Sequence, residues 1–190
     1  MPTPFLESSD IYLRPLMPED ADGPYASWFN DAEVCRGNAH HQYPYSRKAA
    51  LEYIQYAQKF EMELILAIVQ KSDQRHIGNV NLKKINAVTR SAEFAIVIGE
   101  KDCWGKGYSK QVAHLLLGHA FFTLNLNRVF CGTFETNHAM RKLAISVGMQ
   151  EEGRRRQAAF KNSQYIDIIE YGVLRDEYLG KFGALGEELK

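Results

Sequence analysis

The sequence lacks a dominant charge: 23 Lys and Arg stand against 23 Asp and Glu in 190 residues, a formal net charge of zero. With neither a basic excess nor a run of Lys and Arg there is no general field to hold a phosphate backbone. A nucleic-acid binder is therefore excluded as the main reading, and only a local basic site stays open. Long apolar runs are missing too. The longest, residues 64–69, is far too short to cross a bilayer, and residues 1–10 lack the basic-then-apolar order of a secretory signal. A cytoplasmic protein with no membrane partner is expected. Cysteine is scarce: Cys35, Cys103 and Cys131 cannot all pair and show no CxxC spacing, which argues against a disulfide framework or a zinc site. Their expected state is reduced and partly buried. No Pro-, Gly- or Ser-rich linker and no repeat divides the chain. One domain over residues 1–179 is expected, with 180–190, which carries three glycines, as a loose tail.

What is there is a mixture of two periods. Residues 11–16 alternate as a short strand, and an irregular helix follows Pro18, broken by Gly23 and Pro24, with Tyr25, Trp28 and Phe29 on its apolar face. Ser46 caps a more regular helix through Ala57. Residues 64–69, 76–85 and 91–99 then read as three strands of an antiparallel meander, with Phe94, Ile96 and Ile98 on one face of the third. Helical spacing returns from Gly107 to Leu124, a strand runs over 128–134, and a helix over 137–147 ends at Gly148. Two last strands cover 150–160 and 164–175. Interleaved strands and helices force a mixed α/β (α+β) fold.

The informative segment is Trp104-Gly105-Lys106-Gly107-Tyr108-Ser109, after a strand and before the longest helix. Its two glycines allow a tight turn with unhindered N–H groups, and the helix dipole adds positive potential where they converge, a site for phosphate oxygens. Lys106 and Lys110 add local cations. The dinucleotide fingerprint fails, because Lys110 stands where it needs a third glycine, and the P-loop lacks its GKS or GKT. Alone, a GxG before a helix reads equally as a plain turn.

Downstream, Phe134-Glu135-Thr136-Asn137 opens a helix that closes with Val147-Gly148-Met149. With Leu13-Arg14-Pro15-Leu16, Trp28-Phe29-Asn30-Asp31, His76-Ile77-Gly78-Asn79, Ala92-Glu93-Phe94 and Leu126-Asn127-Arg128-Val129, the chain resembles, over nearly its whole length, the GNAT superfamily of acyl-coenzyme A dependent N-acetyltransferases. The likeness is to the branch of ribosomal-protein, spermidine and amino-sugar acetyltransferases. It implies a single GNAT-like domain: a splayed, mixed, mostly antiparallel sheet of about six to seven strands with about four helices. It also implies acetyl-CoA as acetyl donor, no metal, a primary amine of a small molecule or a protein N-terminus as acceptor, and a monomer or homodimer.

By the same resemblance, the backbone of Ile96, Val97 and Ile98 pairs with the pantetheine arm, and residues 104–110 hold the pyrophosphate. Asn137 lies beside the cofactor, although on the residues alone it is simply an N-cap. The amide of Ile98 supports the oxyanion, and Glu93, or secondarily Glu135, is the general base. On the residues alone Glu93 reads equally as a solvent-facing or salt-bridged strand carboxylate. The family's tyrosine acid is absent, Ala144 standing in its place, and Met140 and Asp102 also depart from the pattern. Acceptor binding falls to Trp28 and to the loop of residues 36–45, with His40, His41, Tyr43 and Tyr45. A metal reading of the adjacent histidines fails for want of further paired ligands. The competing class is a non-catalytic acyl-CoA sensor on the same cleft.

Overall fold

The structure is a computed structural model and describes residues 3–59 and 62–188. Among them the strands are β1 (Leu6–Glu7), β2 (Ile11–Pro15), β3 (Leu64–Gln70), β4 (His76–Asn86), β5 (Ser91–Ile98), β6 (Arg128–Phe134), β7 (Gln150–Lys161) and β8 (Gln164–Leu174). They form one eight-stranded sheet in the order β1-β2-β3-β4-β5-β6-β8-β7, antiparallel at every junction except β5 with β6. The helices are α1 (Tyr25–Trp28), α2 (Arg47–Ala57), α3 (Tyr108–Gly118), α4 (His138–Ser146) and α5 (Arg175–Glu188). The mixed architecture is the expected one, with one strand and one helix more. The extra strand is β1, whose two residues are too short to show a period.

The alternation of the strands sorts side chains to two cores. Ile11, Leu13, Leu66, Ile68, Val80, Leu82, Ala92 and Phe94 join α3 and α4 on one face. Tyr12, Ile65, Ala67 and Val69 meet Tyr25, Trp28, Phe29, Ala50 and Ile54 on the other. Because β3 is covered on both faces it reads as an unbroken apolar run. The single irregular helix expected after Pro18 is two pieces, a 3-10 turn over Pro18–Asp22 and the short α1. Pro24 has no N–H to continue the first, and a residue before proline avoids helical geometry. A buried ion pair fixes this corner: Arg14 donates to both oxygens of Asp20 at 2.8 and 2.7 Å, and the two residues are 6% and 7% exposed.

The C-terminal segment differs from the loose tail expected over 180–190. Helix α5 continues through Glu188 with a break at Phe182, and residues 189–190 lie outside the described residues. Tyr178 and Phe182, one helical turn apart, anchor it: their rings meet at 5.3 Å, and Phe182 packs on His114 at 4.8 Å. The glycines of this segment obscure that aromatic pair in the sequence.

Candidate active site

The sheet splays between β5 and β6. Their parallel pairing holds at Ser91, Ala92 and Glu93, opposite Arg128, Val129 and Phe130, and then ends. Past that point β5 has no neighbour on one edge. Gly99 N–H donates to Ile77 C=O at 2.9 Å, so Gly78 and Ile98 are a non-hydrogen-bonded pair of the β4–β5 ladder. By the alternation of that ladder, Val97 bonds to Asn79, while the N–H and C=O of Ile96 and Ile98 point into the gap. The Trp104 indole takes the Ile98 carbonyl at 2.9 Å. Strand backbone facing open space is a template for an extended ligand.

A cavity of about 450 Å³ fills this gap, within the range of small-molecule sites. Ile96, Val97 and Ile98 form one wall; Trp104, Gly105, Gly107, Tyr108 and Ser109 form one end; Asn137 at the N-cap of α4, with His138, Met140 and Leu143 of that helix, completes the lining. Gly105 and Gly107 have φ of 75° and 82°, the left-handed region that favours glycine. A Cβ on either would meet nothing within 4 Å, so open space lies over the loop. No side chain caps α3 at Gly107. Lys110 and Gln111 N–H donate to Gly107 C=O at 3.1 and 3.3 Å, so the amides of the preceding turn remain for an anion. Tyr108 ties this turn to β3, its hydroxyl accepting from Gln70 Nε2 at 3.1 Å.

Nine of the residues expected at the cofactor therefore line one cavity: Ile96, Val97, Ile98, Trp104, Gly105, Gly107, Tyr108, Ser109 and Asn137. Lys106 and Lys110 are exposed beside the loop and outside its walls. Both carboxylates offered as base lie elsewhere. Glu93 sits where β5 and β6 are still paired and is bound to Lys84 at 2.7 Å. It is four residues, roughly 13 Å, along the strand from Val97. Glu135 bonds to Arg154 at 3.0 Å and to the Asp167 amide at 3.1 Å, on the β8 side. Ala144, in the place of the absent tyrosine, is buried in the core.

The acceptor loop divides. Arg36, Gly37 and Asn38, with Glu33 and Val34 just before them, roof the cofactor cavity. Tyr43 is 83% exposed, whereas Tyr45 packs on Phe29 at 4.9 Å and His40 lies on Phe29 at 4.5 Å. His41 is exposed with a φ of 66°. Trp28 is a core residue, its indole donating to Glu100 at 2.8 Å. Among the described residues no group of three or more His, Cys, Asp and Glu could hold a metal ion.

Two tethers hold the roof. Lys101 binds Asp31 at 2.8 Å and Glu33 at 3.1 Å. Its hydrogen bond, together with the amides of Val34 and Glu33, lowers the Asp31 carboxyl to about 2. From the opposite wall, Asn137 Nδ2 donates to Gly37 C=O at 2.9 Å. Glu33, Val34 and His138 were not expected in the site, because their place there depends on contacts far along the chain. Cys103 also lines the cavity; burial pushes its thiol above the ordinary range, so it is no ready thiolate.

The comparisons with known proteins agree with this geometry. The Acetyltransferase (GNAT) domain family matches residues 10–150. A spermidine N(1)-acetyltransferase of Vibrio cholerae is 31% identical over 114 residues, 60% of this chain and 65% of that protein. A putative ribosomal N-acetyltransferase, YdaF, of Bacillus subtilis is 31% identical over 104 residues, 55% of this chain and 56% of that protein. The chain thus spans less than two thirds of the length of these curated relatives. A crystal structure of spermidine N-acetyltransferase from Vibrio cholerae in complex with CoA and spermine superposes with a TM-score of 0.82 at 26% identity, covering 90% of this chain and 99% of that one.

Proposed function

The chain belongs to the GNAT acetyltransferase domain family, and on that premise we propose that it transfers an acetyl group from acetyl-CoA to an acceptor amine by direct attack. The observation that carries the reading is the strand edge at Ile96 and Ile98, bare of its neighbour and continuous with the uncapped turn at Gly107. Acetyl-CoA supplies an acyl carbonyl activated as a thioester. The residues fit it: the amides after Gly105 suit a diphosphate, and the edge of β5 suits an amide-bearing arm.

The Ile98 N–H is the donor we assign to the acyl oxygen. Cys103, the cysteine in the cavity lining, has its thiol raised by burial and is no ready nucleophile, which favours attack by the acceptor itself. An α-amino group of pKa about 8 is largely protonated at neutral pH and must also lose a proton as it attacks, whereas a thiolate leaving group of pKa about 8.5 needs little acid help, so the demanding proton step is removal from the amine. Glu93 and Glu135 are engaged elsewhere, and we assign that removal to solvent at the acceptor side of the cleft. We read the chain as one acyl-CoA N-acyltransferase domain, a monomer or homodimer acting in the cytoplasm on a small-molecule amine such as an amino sugar, or on a protein N-terminus. Neither nucleic acid nor membrane enters this reading.

The test is calorimetry with CoA followed by measurement of acetyl-CoA-dependent thiol release over a panel of amines. Release that depends on an acceptor is the expected result. Tight CoA binding without release on any amine would instead favour a sensor on the same cleft, and an acetylated enzyme in the mass spectrum would reject direct attack.

A further inference from the structure

The turn before α3 contains two glycines in the left-handed region, Gly105 and Gly107, and glycine holds a backbone in one conformation less firmly than any other residue. Amides that are to meet an anion without a large ordering cost must therefore be held from outside the turn. The groups that do so come from the end of β3 and the turn after it, thirty-three and thirty-eight positions away along the chain.

Gln70, the last residue of β3, is 9% exposed, and its side-chain amide reaches both stems of the glycine turn. Its Oε1 accepts from the Cys103 thiol at 3.6 Å, and its Nε2 donates to the Tyr108 hydroxyl at 3.1 Å and to Ser72 Oγ at 2.9 Å. Cys103 precedes Trp104 and Tyr108 follows Gly107, so one planar group of fixed size spans the segment that carries the free amides. Arg75 supports that group. Its carbonyl accepts from the Gln70 N–H at 2.9 Å, and its Nη2 donates to Gln70 Oε1 at 3.4 Å and to Asp102 at 2.7 Å. Asp102, where the chain departs from the family pattern, is thus tied by a guanidinium brought in from a distant turn. The same guanidinium binds Asp73 at 2.6 Å and Glu100 at 3.5 Å, and so offsets carboxylate charge beside the place of the anion. Neither Gln70 nor Arg75 lines the cavity.

Resting on the acetyltransferase reading above, we propose that Gln70 and Arg75 are positioning residues for the donor: they set the span of residues 102–108 and so aim the amides between them at the diphosphate of acetyl-CoA, without touching it. The edge of β5 holds the amide-bearing arm whether or not the Gln70 side chain is intact. The diphosphate is held only when both stems of the turn are set.

The experiment compares kcat/KM for acetyl-CoA and for S-acetylpantetheine, which lacks the diphosphate and nucleotide, in wild type, Gln70→Leu and Arg75→Gln. Wild type is expected to prefer acetyl-CoA, and each variant to reduce that preference by about tenfold or more, the scale of one hydrogen bond to a charged group. The loss should lie in KM for acetyl-CoA, with kcat and the S-acetylpantetheine value within about twofold of wild type. A merely structural role would lower both donors together; that result, or an unchanged preference, overturns the proposal and leaves the transferase reading standing. Arg75, with its side chain 40% exposed, keeps the test open should Gln70→Leu fail to fold. Tyr108→Phe removes the hydroxyl that Gln70 holds. By calorimetry with CoA, its combination with Gln70→Leu should lose less affinity than the product of the two single losses, whereas the full product would overturn an action of Gln70 through Tyr108. If no amine supports release, the dissociation constants of CoA and pantetheine give the same preference and decide in the same way, so the proposal can stand although the transferase reading fails.

Discussion

Asn137 Nδ2 donates to the carbonyl of Gly37 at 2.9 Å while Asn137 Oδ1 accepts from the Met140 amide at 3.1 Å, so one side chain both caps α4 and ties the roof of the cavity to its far wall. A Cβ at Gly37 would lie 2.6 Å from that same Nδ2, closer than real contacts allow. Gly37→Ala is therefore predicted to displace either the cap or the roof. CoA affinity should fall by about tenfold, and the loss of the cap should cost on the order of 1 kcal/mol of stability. Calorimetry and urea unfolding read the two effects separately; an affinity equal to wild type would show that the tether does not shape the site.

At Gly107 the constraint is torsional. The φ of 82° is strained for any β-branched residue, yet a Cβ there meets no neighbour. Gly107→Val should weaken CoA binding by more than about tenfold, because the turn must reorient its amides, while the thermal midpoint moves by only a few degrees. A large drop in the midpoint with affinity retained would mean that the turn serves the fold and not an anion.

Glu93 is the residue for which the family resemblance and the geometry diverge. Held by Lys84 at 2.7 Å and set at the closed end of the splay, it reaches no wall of the cavity. For Glu93→Gln we predict kcat within about fivefold of wild type, the scale of a partly exposed ion pair. The pH profile decides: loss of its acidic limb in the variant would restore Glu93 as the base.

A pH dependence of stability follows from Asp20. Burial alone would raise its carboxyl, but the two hydrogen bonds from Arg14, with His76 Nδ1 3.3 Å away, outweigh that and hold it well below the usual carboxylate range. Its folded pKa lies under the unfolded value near 3.9, so the stabilisation is present above that value and is lost as pH falls below about 4. Asp20→Asn strands the buried Arg14 guanidinium, at a cost of about 3–5 kcal/mol. Urea midpoints should show the gap between wild type and variant narrowing toward pH 3; a constant gap would mean that the carboxyl is not held low.

Much of the architecture could be read locally. The alternation in β4 and β5, the unbroken apolar β3 and the helical spacing after Gly107 each report a period, and a period is a property of neighbouring residues. The loop with φ of 75° and 82° was likewise visible as two glycines before a helix. Three features escaped that reading. The helical C-terminus hid behind its glycines, since the Tyr178–Phe182 anchor matters only once His114 is opposite it. Tyr43 and Tyr45, alike in sequence, separate into one exposed ring and one packed against Phe29. Glu33 and Arg36, the second of them expected in the acceptor loop, instead roof the cofactor cavity.

The residues by themselves determined the balance of charge, the mixed fold class and the glycine turn at the mouth of α3, because each depends on composition or on steps of a few residues along the chain. Only the tertiary structure decided which groups face the cleft. Glu93 is drawn to Lys84, Asn137 reaches Gly37 one hundred positions away, and Lys161 meets His40 across one hundred and twenty-one. Such pairings are set by strand register and by where β5 and β6 part, and no local period encodes either.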